Sequence, residues 1–281
     1  MNQPTPITNY LTIDVEEHFQ VAAFDDIVKA KDWNSHASRV TKNTTLILDL
    51  LAKHQTKATF FIVGWTAERN PDLVKEIDNQ GHDIGCHSYM HRKIYDLTPE
   101  EFRQDTVKAK TILEQITGKK IAGYRAPSYS ITNKSLWALD ILSELGFVYD
   151  SSIFPITHDN YGIPDAPRFK YQHPNLNLTE FPISTAKVLG RNIPVSGGGY
   201  FRLFPYWFTK KLLKSINEDE KQPFIFYLHP WEVDPEQPRM KEAKLFSKFR
   251  HYNNLGKTQT RLENLLTDFT FTSMAEGRKN T

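Results

Sequence analysis

The stretch Tyr10-Leu11-Thr12-Ile13-Asp14-Val15-Glu16-Glu17-His18-Phe19 decides how the rest of the chain is read. Its first four residues form a short apolar run of the kind that makes a buried strand, and the carboxylates Asp14, Glu16 and Glu17 follow at once. Like charges crowded at such a place repel one another and lose hydration, so a metal ion or an arginine is needed beside them. The partner should come from the ends of other apolar runs.

Such runs recur along the chain. Strands are expected at 10–13, 58–63, 83–86, 121–124, 148–150, 179–183 and 224–228, and helices at 44–54, 71–79, 99–116, 134–145 and 206–217. Thr98-Pro99-Glu100-Glu101 reads as a helix start, and Gly118 and Gly146 read as stops. Alternation on this scale implies an α/β protein with a mostly parallel sheet, open or closed into a barrel, with its chemistry at the C-terminal ends of the strands. One domain is expected over residues 1–281, a catalytic barrel at about 10–232 followed by a C-terminal helical extension at about 235–281 without obvious chemistry. Residues 155–178, rich in Pro, Asn, Asp and Tyr, read as a long surface excursion.

Composition removes several classes. The 281 residues are 39% hydrophobic and 12% aromatic, enough for a large core. With 35 basic and 33 acidic residues the formal charge is +2, and no Lys/Arg block is long enough for a nucleic-acid arm. The single cysteine, Cys86, excludes an intrachain disulfide and any all-thiolate zinc site, which leaves His and carboxylate as metal ligands. The polar N-terminus lacks the pattern of a signal peptide and no stretch is apolar enough to span a bilayer, so the expectation is a cytoplasmic protein without a transmembrane segment, at most associated with the inner face of the inner membrane. Nothing in the sequence sets the oligomeric state.

Four further clusters follow the strands. Gly81 to His91 holds His87 and His91 four residues apart; on a helical turn both imidazoles would face one cation, and with one carboxylate they would suit zinc or a similar divalent ion. Tyr124 to Ser130 offers Arg125, able to pair with a carboxylate of the first cluster, and Pro127, which could hold the loop so that backbone N–H groups face a cavity. Val148 to Pro155 offers Asp150, and the apolar run Phe224 to Leu228 ends in His229, a general acid or base if an Asp from a neighbouring strand end orients it. Gly197, Gly198 and Gly199 with Tyr200 and Phe201 fit either a sugar-binding wall or a turn before a strand.

Five clusters in this order, D-x-E, H-S-x-x-H, R-x-P, D-S-S and L-H, resemble the NodB-like polysaccharide deacetylases, carbohydrate esterase family 4, over about residues 10 to 232. DVEEHF, SGGGYFRLFP (196–205) and HPWEVDP (229–235) resemble the branch associated with exosortase and PEP-CTERM exopolysaccharide loci. The resemblance implies a distorted (β/α)7-type barrel. It further implies Asp14 as catalytic base, His87 and His91 as metal ligands, Arg125 as partner of the base, His229 as catalytic acid and Asp150 as its orienting group. Where many members carry adjacent aspartates, this chain has Asp14-Val15-Glu16-Glu17; side chains two apart on a strand share a face, which favours Glu16 over Glu17 as the third ligand.

The implied reaction is hydrolysis of N-acetyl groups on an acetylated polysaccharide, with zinc the expected ion, the Ser128 N–H holding the oxyanion, and acetate and a free amine as products. Hydrolysis of O-acetyl esters shares this chemistry. Two rival readings use the same barrel: a metal-dependent amidohydrolase acting on a small amide, and a non-catalytic carbohydrate-binding protein.

Overall fold

In a computed structural model, residues 6–158 and 161–279 are described. Eleven strands occur among them: β1 (Thr8–Val15), β2 (Thr59–Ile62), β3 (Asp83–Cys86), β4 (Gly123–Tyr124), β5 (Tyr149–Asp150), β6 (Tyr171–Gln172), β7 (Thr179–Glu180), β8 (Thr185–Val188), β9 (Arg191–Pro194), β10 (Ile225–Leu228) and β11 (Thr270–Thr272). The helices are α1 (Val40–Lys53), α2 (Gly64–Arg69), α3 (Pro71–Asn79), α4 (Pro99–Thr117), α5 (Trp137–Glu144), α6 (Gly198–Leu203), α7 (Tyr206–Glu218), α8 (Leu245–Tyr252), α9 (Leu255–Asp268) and α10 (Met274–Lys279).

Nine strands form one sheet in the order β10-β1-β2-β3-β4-β5-β7-β6, with β11 also paired to β1. All neighbours are parallel except β6 and β7. The sheet curls into a half-barrel, the α/β architecture expected from the alternation. Its β1 is buried from Asn9 onward, which suits a strand covered on both faces. Leu11, Ile13 and Val15 join Phe60, Ile62, Leu48 and Leu113 between sheet and helices, while Tyr10, Phe61, Tyr149, Phe181 and Tyr227 fill the concave side. A third cluster of Phe19, Phe24, Trp33, Trp65 and Trp231 closes one end.

Local signals account for several boundaries. Thr98 accepts from the Glu101 N–H and Glu101 reaches back to the Thr98 N–H, so α4 begins with a reciprocal cap, and it stops at Gly118 with φ of 67°. The hairpin β8–β9 and helices α2 and α6 were not among the expected elements. The segment after residue 235 carries α8, α9 and α10 and also returns β11 to the central sheet beside β1.

Candidate active site

β1, β3, β4 and β10 end at one rim of the sheet, where a cavity of about 640 Å³ is lined by Asp14, Glu16, His87, His91, Ser128 and His229. The three acids of the first cluster separate there. Asp14 and Glu16 face the cavity, as their spacing predicts, although the strand ends at Val15. Glu17 points the other way and accepts from Ser38 Oγ and from the backbone N–H groups of Arg39 at 3.1 Å and Val40 at 3.4 Å. It therefore caps the start of α1, where a carboxylate also meets the positive end of the helix dipole.

His87 and His91 converge with Glu16: one ligand atom of each lies within 4.8 Å of the others. The pair does not sit on a helical turn, as expected from its spacing. Ser88 and His91 take φ of 64° and 51°, and the loop is held instead by Asp105 of α4, which accepts from Ser88 Oγ at 2.7 Å and the N–H groups of Tyr89 and Met90 at 2.6 and 3.0 Å.

The donors fit a divalent ion. His87 Nδ1 lies 2.7 Å from the Arg125 carbonyl, which can only accept, so Nδ1 carries the hydrogen and Nε2 the lone pair. Burial pushes the His87 value down to about 4, which keeps the ring neutral near pH 7. Trp231 Nε1 donates to Glu16 Oε1 at 3.1 Å, and His91 Nε2 lies 2.6 Å from Glu16 Oε2. Burial works against ionising Glu16, but His91 and His229 outweigh it and hold the carboxyl below its usual range.

Arg125 is fully buried and held at all three of its nitrogens. Nη1 donates to Asp14 Oδ1 at 2.7 Å and to Thr12 Oγ1 at 2.8 Å, Nη2 to Ser151 Oγ at 2.8 Å, and Nε to the Ser151 carbonyl at 3.1 Å. Gly123, two residues earlier in β4, lets the chain pass Tyr149 closely; a Cβ there would fall 2.0 Å from that ring. Ser128 lies in the short turn after Arg125 with φ of 53°, next to the cavity.

Asp150 does not orient His229. Its Oδ1 accepts from Ser152 Oγ at 2.7 Å, and it lies beside Glu180, whose Oε1 accepts from the N–H groups of Ser152 and Ile153 at 3.1 and 3.0 Å. Ser152 Oγ accepts in turn from the Ala126 N–H at 2.8 Å, so the D-S-S segment props the R-x-P loop. Asp150 is occupied with a second buried carboxyl, and both are pushed up, Asp150 by burial and Glu180, and Glu180 by burial to about 7.

That pair has a pH signature. A carboxyl raised in the fold above its unfolded value contributes stability that is complete below about pH 4 and lost as the pH rises through about 7. Glu180→Gln, which mimics the protonated acid, should gain on wild type by about 3 kcal/mol between pH 5 and pH 9, because each tenfold change in proton affinity is worth about 1.36 kcal/mol. Denaturant titrations across that range measure the difference; a constant offset would show that Glu180 is ionised throughout.

The partner of His229 lies three residues on. Glu232 Oε1 accepts from the His229 N–H at 3.1 Å and from Nδ1 at 2.7 Å, and Arg202 Nε donates to Glu232 Oε2 at 2.6 Å. Pro230 starts a short 3₁₀ turn that makes this reach possible, and H-P-W-E has the spacing of a capping box, the signal that could have revealed it. Trp231 stacks on His229 at 5.1 Å and on His251 at 4.2 Å. His229 Nε2 then faces Glu16 Oε1 at 3.7 Å and Asp14 Oδ2 at 3.9 Å. Burial lowers the His229 value, but Glu16, Glu232 and Asp14 outweigh it and raise it to about 9.

The glycine run serves this arrangement rather than a strand turn. Gly197, at φ of 139°, passes so close to Tyr227 that a Cβ would lie 1.9 Å from its carbonyl oxygen. Gly198, at φ of 52°, packs on the Tyr227 ring, and α6 then carries Arg202 to Glu232. Tyr200 does line the cavity, joined by Tyr161 from the 155–178 excursion and by Phe246, Phe249 and Arg250 from the C-terminal extension. Sequence reasoning missed Glu232, Arg202, Trp231 and Glu180, and it credited the extension with no chemistry.

With this geometry in place the comparisons are specific. Residues 13–149 match the family described as Polysaccharide deacetylase, and residues 151–278 match a Domain of unknown function (DUF3473). Residues 13–149 thus form a polysaccharide deacetylase domain of the NodB, carbohydrate esterase family 4, type. The second match contains His229, Glu232 and Arg202, so the cavity is built from both. A peptidoglycan-N-acetylglucosamine deacetylase of Bacillus cereus is 39% identical over 98 residues, 34% of this chain and 36% of that protein. The chain thus matches about a third of that relative's length. A Mycobacterium smegmatis protein assigned to the polysaccharide deacetylases superposes with a TM-score of 0.62 at 17% identity, covering 100% of this chain and 92% of that one. An allantoinase (PuuE) superposes with a TM-score of 0.59 at 15% identity, covering 95% and 87%. At these identities the two structures speak for the fold.

Proposed function

We propose that the chain hydrolyses N-acetyl groups of an acetylated polysaccharide, releasing acetate and leaving a free amine on the sugar. The observation that carries this reading is that Asp14, paired with Arg125, and His229, paired with Glu232, line one cavity with Glu16, His87 and His91. Glu16, His87 and His91 would hold a divalent ion, zinc by donor type, which when bound supplies Lewis acidity to water and to the acetyl carbonyl.

Asp14 accepts the proton that water gives up as its oxygen adds to the carbonyl carbon. Arg125 holds Asp14 in place through Nη1, being itself immobilised by Thr12 and Ser151. The developing negative charge on the carbonyl oxygen finds the Ser128 N–H. His229 gives the proton on Nε2 to the nitrogen as the carbon–nitrogen bond breaks, while Glu232 keeps Nδ1–H in place. The aromatic walls at Tyr161 and Tyr200 suit the faces of sugar rings.

Acetate release from defined N-acetylated oligosaccharides, with and without chelator and beside a panel of small amides, tests the reading. Turnover of the small amides alone would replace it, and chelator-sensitive acetate release from the glycans would support it.

The ligand assignment gives a separate expectation. Loss of an outer partner of a metal ligand costs about 10- to 100-fold in affinity, so His87→Ala, His91→Ala and Glu16→Gln should each lose more than about 100-fold in zinc titrations. Glu17→Gln should bind as wild type does and lose about 1 kcal/mol of stability through the α1 cap. Equal zinc affinity in Glu16→Gln and wild type would remove Glu16 from the set.

A further inference from the structure

Helix α8, Leu-Phe-Ser-Lys-Phe-Arg-His-Tyr from 245 to 252, turns its apolar side outward. Leu245 is 84% exposed, Phe246 70% and Phe249 55%, and neighbouring Leu203 of α6 is 48% exposed. Trp207, four residues on from Leu203 in α7, is 67% exposed. Isolated exposed apolar residues are ordinary, but several large ones grouped on one face mark a contact surface. His251, on the opposite side of α8, is buried against Trp231, so the helix is anchored by one residue while its phenylalanines stand free of the core.

Charge identifies what the face meets. Residues 239–250 contain the five basic side chains Arg239, Lys241, Lys244, Lys248 and Arg250 and one acid, Glu242, within a chain whose formal charge is only +2. The positive charge is therefore concentrated beside the exposed aromatics. Lys244 meets Asp26 at 3.0 Å, and Arg250 lies over the Phe246 ring at 5.6 Å. A short helix with outward Leu and Phe and flanking Lys and Arg is suited to the interface of an anionic bilayer, where the rings enter the headgroup boundary and the basic groups meet phosphates. A second copy of this face would bring two such basic clusters together, which electrostatics opposes.

Position gives the face its meaning. Phe246, Phe249, Arg250 and Leu203 also line the cavity that holds Asp14, Glu16 and His229. We infer that α8, with Leu203, docks the protein on an anionic phospholipid surface and sets the mouth of the cavity against it. No described helix is long and apolar enough to cross a membrane, so this contact is peripheral and reversible. Substrate held at that surface reaches the cavity without a free-solution encounter. The docking itself does not depend on the hydrolytic reading.

Sedimentation of the full chain with vesicles tests it. The protein should pellet with phosphatidylcholine vesicles containing about a third phosphatidylglycerol and stay in solution with phosphatidylcholine alone, and salt should release it. Leu245→Ser with Lys248→Glu changes two residues that do not line the cavity. This double variant should bind the anionic vesicles at least about tenfold more weakly, from the roughly fivefold worth of each basic group and the lost apolar contact, with unchanged circular dichroism and unchanged turnover of a soluble substrate. Failure of wild type to pellet with anionic vesicles would overturn the inference, as would full retention by the double variant. A wild-type dimer in light scattering that the double variant converts to monomer would assign the face to a second copy instead. Since no turnover is needed for pelleting, an inactive protein that pellets would leave the docking standing and sink the hydrolytic reading alone.

Discussion

Asp14→Asn lowers kcat for acetate release by about a hundred- to ten-thousand-fold, the usual cost of removing a general base, while zinc binding persists. The geometry adds a stability effect. Arg125 is completely buried and Asp14 is the carboxylate that meets it, at 2.7 Å. Breaking a buried pair costs about 3–5 kcal/mol because one charge is left without its counterpart. The amide oxygen of Asn still accepts from Nη1, so the loss should fall near the lower figure. Rate, zinc titration and denaturant midpoint on the same preparation separate the effects. Loss of zinc together with rate would move Asp14 into the ligand set and leave the base unassigned.

The second large effect belongs to His229 and Glu232. His229→Ala should reduce amide hydrolysis by about a hundred- to ten-thousand-fold and hydrolysis of an aryl acetate ester much less, since an aryl oxide leaves without being protonated. Glu232→Gln keeps an acceptor near Nδ1 but removes the charge that favours the imidazolium, so it should act on the same step. The two substitutions together should then cost little more than His229→Ala alone. Additive losses would show that Glu232 supports the fold through Arg202 and not the acid. Asp150→Asn should show no such coupling to His229, because its contacts run to Ser152 and Glu180.

Most of the strand ends were legible from the chain because each combined an apolar run with an abrupt polar residue, a pattern that a strand buried on both faces enforces. The separation of Glu16 from Glu17 was legible for the same reason, since two-residue periodicity survives one step past the strand. The Asp150 assignment went astray because partnership between two strand ends depends on how far each side chain travels, and here Glu180 from β7 reaches Asp150 first. Glu232 was hidden by its closeness: a local turn, not a neighbouring strand, supplies the carboxylate. The convergence of His87 and His91 was legible but its cause was not, because Asp105 imposes a left-handed loop from another element. The role of residues 240–255 was invisible in a polar, basic segment, whose placement beside the cavity is decided by tertiary packing of His251 against Trp231.

The pairing of β1 with β10 and β11 has a consequence for the order of assembly. The first strand of the sheet takes two neighbours made long after it: Thr12 and Ile13 lie beside Tyr227 and Leu228, and Thr8 to Tyr10 lie beside Thr270 to Thr272. At roughly 5–20 residues per second, β1 waits on the order of tens of seconds for them. Until then one edge of a buried strand is open, a template for pairing with another chain and a demand on chaperones. Closing contacts across so long a stretch of chain is slow for entropic reasons as well. Asp14 and His229 sit at the ends of the two strands that meet late, so in a nascent chain Glu16, His87 and His91 can come together before Asp14 and His229 can face each other.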